Sequence, residues 1–128
     1  MVPEDTPTDP TPATTFFEES PLQILVSHLK EHAYVVLTGE LDGATAPFLV
    51  RTLVDVNATL EGDLVLDIKA LSFIDSTGLS VFVSQQKKLR AKGHKFVIYG
   101  PTAMARRLFQ ITGLEDVLTI QPMDESEG

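Results

Sequence analysis

Two short β-prone runs, Gln23 to Leu29 and Ala33 to Leu41, open the patterned part of the chain, and the Lys30-Glu31-His32 segment between them predicts an antiparallel hairpin. Leu49, Val50, Leu53, Val56 and Leu60 then recur at helical spacing, with Thr45 placed to cap the helix, Pro47 tolerated near its first turn, and Gly62 and Asp63 ending it. Leu64 to Ile68 is a compact apolar run bounded by turn residues, the pattern of an interior strand covered on at least one face. After a loop at Lys69 to Ile74, the positions Leu79, Phe82, Val83, Gln86 and Leu89 predict a second amphipathic helix ending near Gly93, and Lys95 to Tyr99 a further strand. Gly100-Pro101-Thr102 turns the chain into a third helix, Ala103 to Ile111, with an apolar stripe of Met104, Leu108 and Ile111 before Gly113 stops it. Val117 to Ile120 completes the pattern. The order ββαβαβαβ calls for an α/β fold: a mixed sheet of four to five strands, an opening β-hairpin, and helices crossing over between later strands.

Length and composition bound this picture. A chain of 128 residues with 43% hydrophobic residues and a mean hydropathy of +0.09 has room for one packed domain. Residues 1–20 hold Pro3, Pro7, Pro10 and Pro12 among Thr, Asp and Glu, too little apolar area to offset ordering entropy, so a disordered acidic arm is expected there. The folded domain is expected over residues 21–122 and a frayed acidic tail over residues 123–128. With no cysteine there is no disulfide or thiolate site. The start has Glu4, Asp5 and Asp9 in place of a basic leader region, and no window approaches the length of a membrane span, which reads as soluble and cytoplasmic.

A formal charge of −8 disfavours direct binding to nucleic acid. The one basic stretch, Lys87, Lys88, Arg90, Lys92 and Lys95, reads as a solvated helix end whose cations complement the helix dipole. His28, His32 and His94 lack the paired spacing of a metal site, and no metal or cofactor is expected. No nucleophile elbow, no Walker lysine and no catalytic acid pair is present, so enzymatic activity has little support.

The chemistry concentrates between a strand end and a helix start. Leu66-Asp67-Ile68 is followed by Phe73-Ile74-Asp75-Ser76-Thr77-Gly78-Leu79, and open α/β sheets place ligand and modification sites beyond the carboxyl ends of their strands. Ser76 or Asp75 falls at or near the N-cap, which ordinary capping of free N–H groups accounts for. A phosphoryl group on Ser76 would meet the same donors and the positive end of the helix dipole, with Gly78 leaving the loop backbone open to approach, so a cap and a modified serine both fit the spacing.

The stretch Phe73-Ile74-Asp75-Ser76-Thr77-Gly78-Leu79 resembles the Asp-Ser-Ser/Thr-Gly-Leu signature of STAS-domain anti-sigma factor antagonists. Leu37-Thr38-Gly39-Glu40-Leu41-Asp42 upstream is similar to the family's Gly-Glu-Leu-Asp strand end, and Arg107 to Leu114 extends the likeness downstream, so that it covers nearly all of residues 21–122. The resemblance implies a single STAS domain in which Ser76 is the phosphoacceptor. It also implies a partner-binding face at Asp42, Thr45, Asp75, Ser76, Thr77 and Gly78. The implied cycle is partner switching. The unphosphorylated antagonist binds an anti-sigma factor that is also a serine protein kinase and frees a sigma factor; phosphorylation ends the binding and a PP2C-like phosphatase restores it. ATP belongs to the kinase in that scheme, and the antagonist is a monomer or weak dimer. Two other readings keep part of this pattern: a STAS adaptor in a signalling assembly or with lipid transport machinery, and a receiver-like protein phosphorylated on Asp67 or Asp75.

Overall fold

A computed structural model describes residues 14–16 and 21–123. The hairpin is formed by β2 (Leu22–Leu29) and β3 (His32–Leu41), which pair antiparallel from Leu22↔Gly39 to Leu29↔His32. Only Lys30 and Glu31 lie between the paired ends, and Lys30 takes the positive φ of 58° that so tight a connection requires. The chain then alternates helix and strand: α1 (Ala46–Thr59), β4 (Leu64–Ile74), α2 (Ser76–Ala91), β5 (Phe96–Tyr99), α3 (Ala103–Ile111), a 3-10 turn at Leu114–Asp116, and β6 (Thr119–Gln121). Strands β3 to β6 are parallel neighbours in chain order, so each crossover helix carries the chain one strand further in the same direction.

One element lies inside the stretch expected to be a disordered arm. Strand β1 (Thr14–Phe16) pairs antiparallel with β2, Thr14 opposite Leu25 and Phe16 opposite Gln23, and adds a sixth strand to the four or five expected. Two β-branched residues and an aromatic favour a strand, and the edge of β2 offers unpaired N–H and C=O groups to receive it. Averaging composition over residues 1–20 hid those three positions. The rest of the arm, and the tail from residue 124 onward, lie outside the described residues.

The alternation of the strands decides which face of the sheet carries the helices. Leu22, Ile24 and Val26 of β2, Ala33, Val35 and Leu37 of β3, Leu64, Leu66 and Ile68 of β4, and Phe96 and Ile98 of β5 are all buried. Their neighbours along each strand, such as Gln23, Tyr34, Asp67 and Val97, point to the other face and are exposed or half-buried. Leu49, Leu53 and Val56 of α1, Leu79, Phe82 and Leu89 of α2, and Ala105 and Phe109 of α3 complete the core, with the Phe82 and Phe96 rings meeting edge to face at 6.5 Å. Side chains standing on one face of a pleated sheet need only one covering layer, and successive right-handed crossovers in one direction supply it.

Several positions depart from the periodicity. Val50, expected among the apolar helix positions, is 44% exposed, and Val54 beside it 54%. Met104 and Ile111, expected as an apolar stripe of α3, are also exposed, Ile111 at 70%, while the buried side of α3 is Ala105 and Phe109. A run of apolar residues on two sides of a helix satisfies a periodic count without saying which side meets the sheet. Buried Gln86 donates from Nε2 to the Val117 carbonyl, so an amide occupies a core position by satisfying the loop before β6.

Adjacent positions on α1 test this division of faces. Leu53→Ala should lower the unfolding free energy by about 2–5 kcal/mol, the usual cost of truncating a buried leucine, whereas Val54→Ala should change it by no more than about 0.5 kcal/mol. Urea denaturation of the two variants measures both, and equal losses would place Val54 in the core.

Candidate functional site

The carboxyl ends of β3 and β4 converge because the Asp75 N–H donates to the Leu41 carbonyl at 3.2 Å. Both strands thus stop at one level, and the loops leaving them, residues 42–45 and the Asp75 junction, lie side by side. Gly78 closes the joint: a Cβ built on it would stand 2.8 Å from Leu41 Cγ and Cδ2 and 2.9 Å from Ile74 Cγ1. Glycine is therefore needed at this position for close packing of α2 onto β3 and β4. The expectation that Gly78 leaves the loop open to approach is corrected, because its small size is used inward and it is buried.

Asp75 rather than Ser76 is the N-cap of α2. Its backbone is extended, and its Oδ1 accepts from the Thr77 N–H at 3.0 Å and the Gly78 N–H at 3.1 Å. Its own carbonyl accepts the first helical bond, from the Leu79 N–H at 3.0 Å. Ser76 is the first residue inside the helix and is exposed. The donors expected to be open to a phosphoryl group are thus largely taken, and the group that takes them is itself anionic. A phosphate on Ser76 would stand beside the Asp75 carboxylate with little of the helix terminus left to receive it, and so would face outward.

The neighbouring loop is held by Asp42 and Thr45. Asp42 Oδ1 accepts from the Ala44 N–H at 3.0 Å and the Thr45 N–H at 3.1 Å, an Asx-type turn. Thr45 stands at the N-cap position of α1 but makes no side-chain cap. Its Oγ1 instead donates to the Glu40 carbonyl at 2.9 Å and accepts from the Asp42 N–H at 2.9 Å. With 2% of its surface exposed, Thr45 ties the loop to the end of β3 and cannot present its hydroxyl to a partner. The helix cap expected from Thr45 and its expected role as a partner contact are both replaced by this internal brace.

All six residues singled out in the sequence meet at this one end of the sheet. Ser76 and Thr77 are exposed, Asp42 and Asp75 half-buried, and Thr45 and Gly78 buried. Gly43 brings the two loops together: a Cβ there would lie 3.9 Å from Thr77 Oγ1. Asp67 is not part of the cluster. It lies within β4 on the face away from the helices, where its Oδ1 accepts from the Lys69 N–H at 2.9 Å and its Oδ2 is 3.5 Å from Lys69 Nζ.

Beside the cluster a groove of about 730 Å³ runs between α1 and α2, with Gly43 and Thr77 at one end and Lys88 among its lining. Sequence periodicity missed it because it treats Val50 as a core position. The available signal was Val50 and Val54 falling four apart on α1, outside the Leu49–Leu53–Val56 face.

A mixed sheet with helices stacked on one face, and an exposed serine directly after an aspartate cap, defines the class of a small STAS-type regulatory module. A family model described as STAS domain matches residues 23–127, and the chain belongs to that family. The anti-sigma-B factor antagonist of Listeria monocytogenes is 37% identical over 95 residues, covering 73% of this chain and 82% of that protein. The protein of the same name from Staphylococcus aureus is 34% identical over 93 residues, covering 73% and 86%. Among solved structures, an anti-sigma factor antagonist from Mycobacterium paratuberculosis superposes with a TM-score of 0.73 at 28% identity, covering 82% of this chain and 89% of that one.

The cap is directly testable. Asp75→Ala should cost about 0.5–2 kcal/mol of stability by freeing two helix-terminal N–H groups, while Asp75→Asn, which keeps an accepting oxygen, should lose much less. Thermal unfolding followed by circular dichroism distinguishes them, and equal losses would remove the cap from the account.

Proposed function

We propose that this chain is a partner-switching antagonist of an anti-sigma factor, with Ser76 as its regulatory phosphoacceptor. The observation that carries the reading is Ser76 exposed at the first position of α2 while Asp75 alone carries the cap. A serine that capped the helix would couple its modification to folding. This one is free of that duty, so esterification changes the surface and spares the scaffold. The names of the relatives supply the partner class.

The chain acts as a binding protein and phosphate acceptor. The unphosphorylated form docks on an anti-sigma factor that also has serine kinase activity, and that docking frees the sigma factor. ATP is held by the kinase. Transfer of the γ-phosphoryl group to Ser76 Oγ makes an O–P bond, breaks the bond between the β-bridging oxygen and the γ-phosphorus, and releases the hydroxyl proton with ADP as the other product. A PP2C-like phosphatase hydrolyses the ester and resets the cycle. Asp42, Asp75 and Thr77 form the contact face around Ser76, and Thr45 and Gly78 act on that face through the loops they hold.

Phosphoserine brings about −1.5 to −2 charges. One like charge opposite another at ~5 Å costs roughly 3 kcal/mol at an effective dielectric of 20, about a hundredfold in affinity. The adjacent Asp75 carboxylate adds to the local negative potential, so the modified site repels an acidic or merely desolvating partner surface. A receiver-like alternative loses support from the engagement of both candidate aspartates, Asp67 with Lys69 and Asp75 with the α2 terminus.

Ser76→Ala should fold normally and bind the kinase without regulation by ATP, while Ser76→Asp and Ser76→Glu should bind about a hundredfold more weakly. Co-purification with the candidate kinase, titration calorimetry of the three variants, and mass spectrometry of acid-stable phosphate after incubation with ATP check this. Equal affinities, or phosphate that is lost in acid, would defeat the proposal.

A further inference from the structure

The groove between α1 and α2 is bounded by two helices that run the same way. Strands β3, β4 and β5 are parallel neighbours, so each crossover helix returns against the strand direction, and both helices start at the end of the sheet that bears Ser76. Asn57 and Gln85 join them by a reciprocal amide pair, Asn57 Nδ2 to Gln85 Oε1 at 2.9 Å and Gln85 Nε2 to Asn57 Oδ1 at 2.8 Å, with Gln85 only 2% exposed. That pair sets the two helices level at one point and gives the cleft a fixed floor.

Val50 and Val54 on α1 and Val81 on α2 line the cleft, and Val50 and Val54 are exposed there rather than packed in the core. The charged members of the lining, Arg51 and Lys88, are both cations in a chain whose formal charge is −8, and neither has an ion pair among the described residues. Their spacing selects the ligand. Arg51 lies six residues before Asn57 on α1 and Lys88 three residues after Gln85 on α2, so at about 1.5 Å per residue the two stand roughly 13 Å apart along the groove. A single anionic headgroup serves one of them. Two acids two turns apart on a helix, about 11 Å, serve both once the long Arg and Lys side chains lean inward.

We propose that the α1–α2 groove is a docking site for an amphipathic helix of another protein, whose apolar stripe packs on Val50, Val54 and Val81 and whose two flanking acids meet Arg51 and Lys88. A third helix laid between two others seats its side chains in the groove their ridges leave, and apolar anchors on one face supply the contact. A second copy of this chain does not fit the description. Its helices α2 and α3 carry no acid and α1 carries only Asp55, so no described helix offers the acid pair, and a charge of −8 on each molecule opposes association. Gly43 and Thr77 line one end of the groove, so the docked helix ends beside Ser76. The inference stands on the groove alone and does not require that Ser76 be phosphorylated.

The probe is a synthetic, end-blocked helical peptide of alanine, leucine and glutamate, with two glutamates two turns apart and leucines between them on the same face. Titrated into the full isotope-labelled chain, it should shift the amide resonances of Val50, Val54 and Val81 and leave those of Val65 and Val97, on the opposite sheet face, in place. A peptide of the same composition with its glutamates and leucines on opposite faces should shift none. Arg51→Glu/Lys88→Glu should bind the first peptide about tenfold more weakly and should bind well a version with lysines in place of the glutamates, a gain that a misfolded variant would not show. Ser76→Ala should bind like the parent, which keeps this test apart from that of the phosphoacceptor. No shift in the groove, equal shifts from the rearranged peptide, or an unchanged affinity in the double variant would each overturn the proposal. Displacement of the peptide by sodium octanoate at equal concentration would assign the groove to a small amphiphile, and groove resonances that move on diluting the protein alone would assign it to a second copy; either overturns it as well.

Discussion

The joint between Leu41 and the start of α2 is the constraint on which the rest of this molecule depends. One backbone hydrogen bond, Asp75 N–H to the Leu41 carbonyl, ends two parallel strands at the same height, and a glycine at 78 lets the helix settle against Leu41 and Ile74. A larger residue would lift α2 off the sheet. With the joint closed, Asp75 caps the helix terminus and Ser76 stands exposed, which separates the residue that stabilises the helix from the free hydroxyl beside it.

That separation has an energetic logic. Folding uses one face of the sheet and the inward sides of three helices, with Leu41 and Ile74 buried at the end of the sheet, while Asp75, Ser76 and Thr77 above them are half-buried or exposed and Asp75 is held by hydrogen bonds. Local polar bonds of this kind are worth about 0.5–1.5 kcal/mol each, small beside the core, so the surface can change charge without threatening the fold. The Asp42–Thr45 loop repeats the same economy: a buried threonine hydroxyl braces the backbone, and the aspartate takes the free N–H groups.

Charge is distributed unevenly over the helix layer. The chain is acidic overall, yet among the described residues the charged members of the cleft lining, Arg51 and Lys88, are both cations, and Lys87, Lys88 and Arg90 cluster toward the end of α2, where they complement its dipole. A basic cleft on an acidic protein selects among segments by sign before any close packing forms. The same helix therefore presents an exposed serine beside an aspartate cap at its start and a cationic groove along its side.

Much of this was legible in the order of residues. Period-two and helical spacing located five strands and three helices, because burial on one side of each element leaves its mark on successive positions. The Asp-Ser-Thr-Gly run marked a helix start with a hydroxyl, because capping chemistry is local. What the sequence could not assign was whatever depends on a partner distant along the chain. Whether Asp75 or Ser76 caps α2 follows from the bond to Leu41, and the need for Gly78 follows from β3 packing beneath it. That Val50 is partly exposed while Gln85 is buried follows from which sides of α1 and α2 face each other, with Gln85 paired to Asn57 across the two helices. The strand at Thr14–Phe16 exists because β2 offers it an edge. Periodicity records that a side chain is apolar or polar; only the tertiary contacts decide which surface it meets, since that is set by residues brought near from elsewhere in the chain.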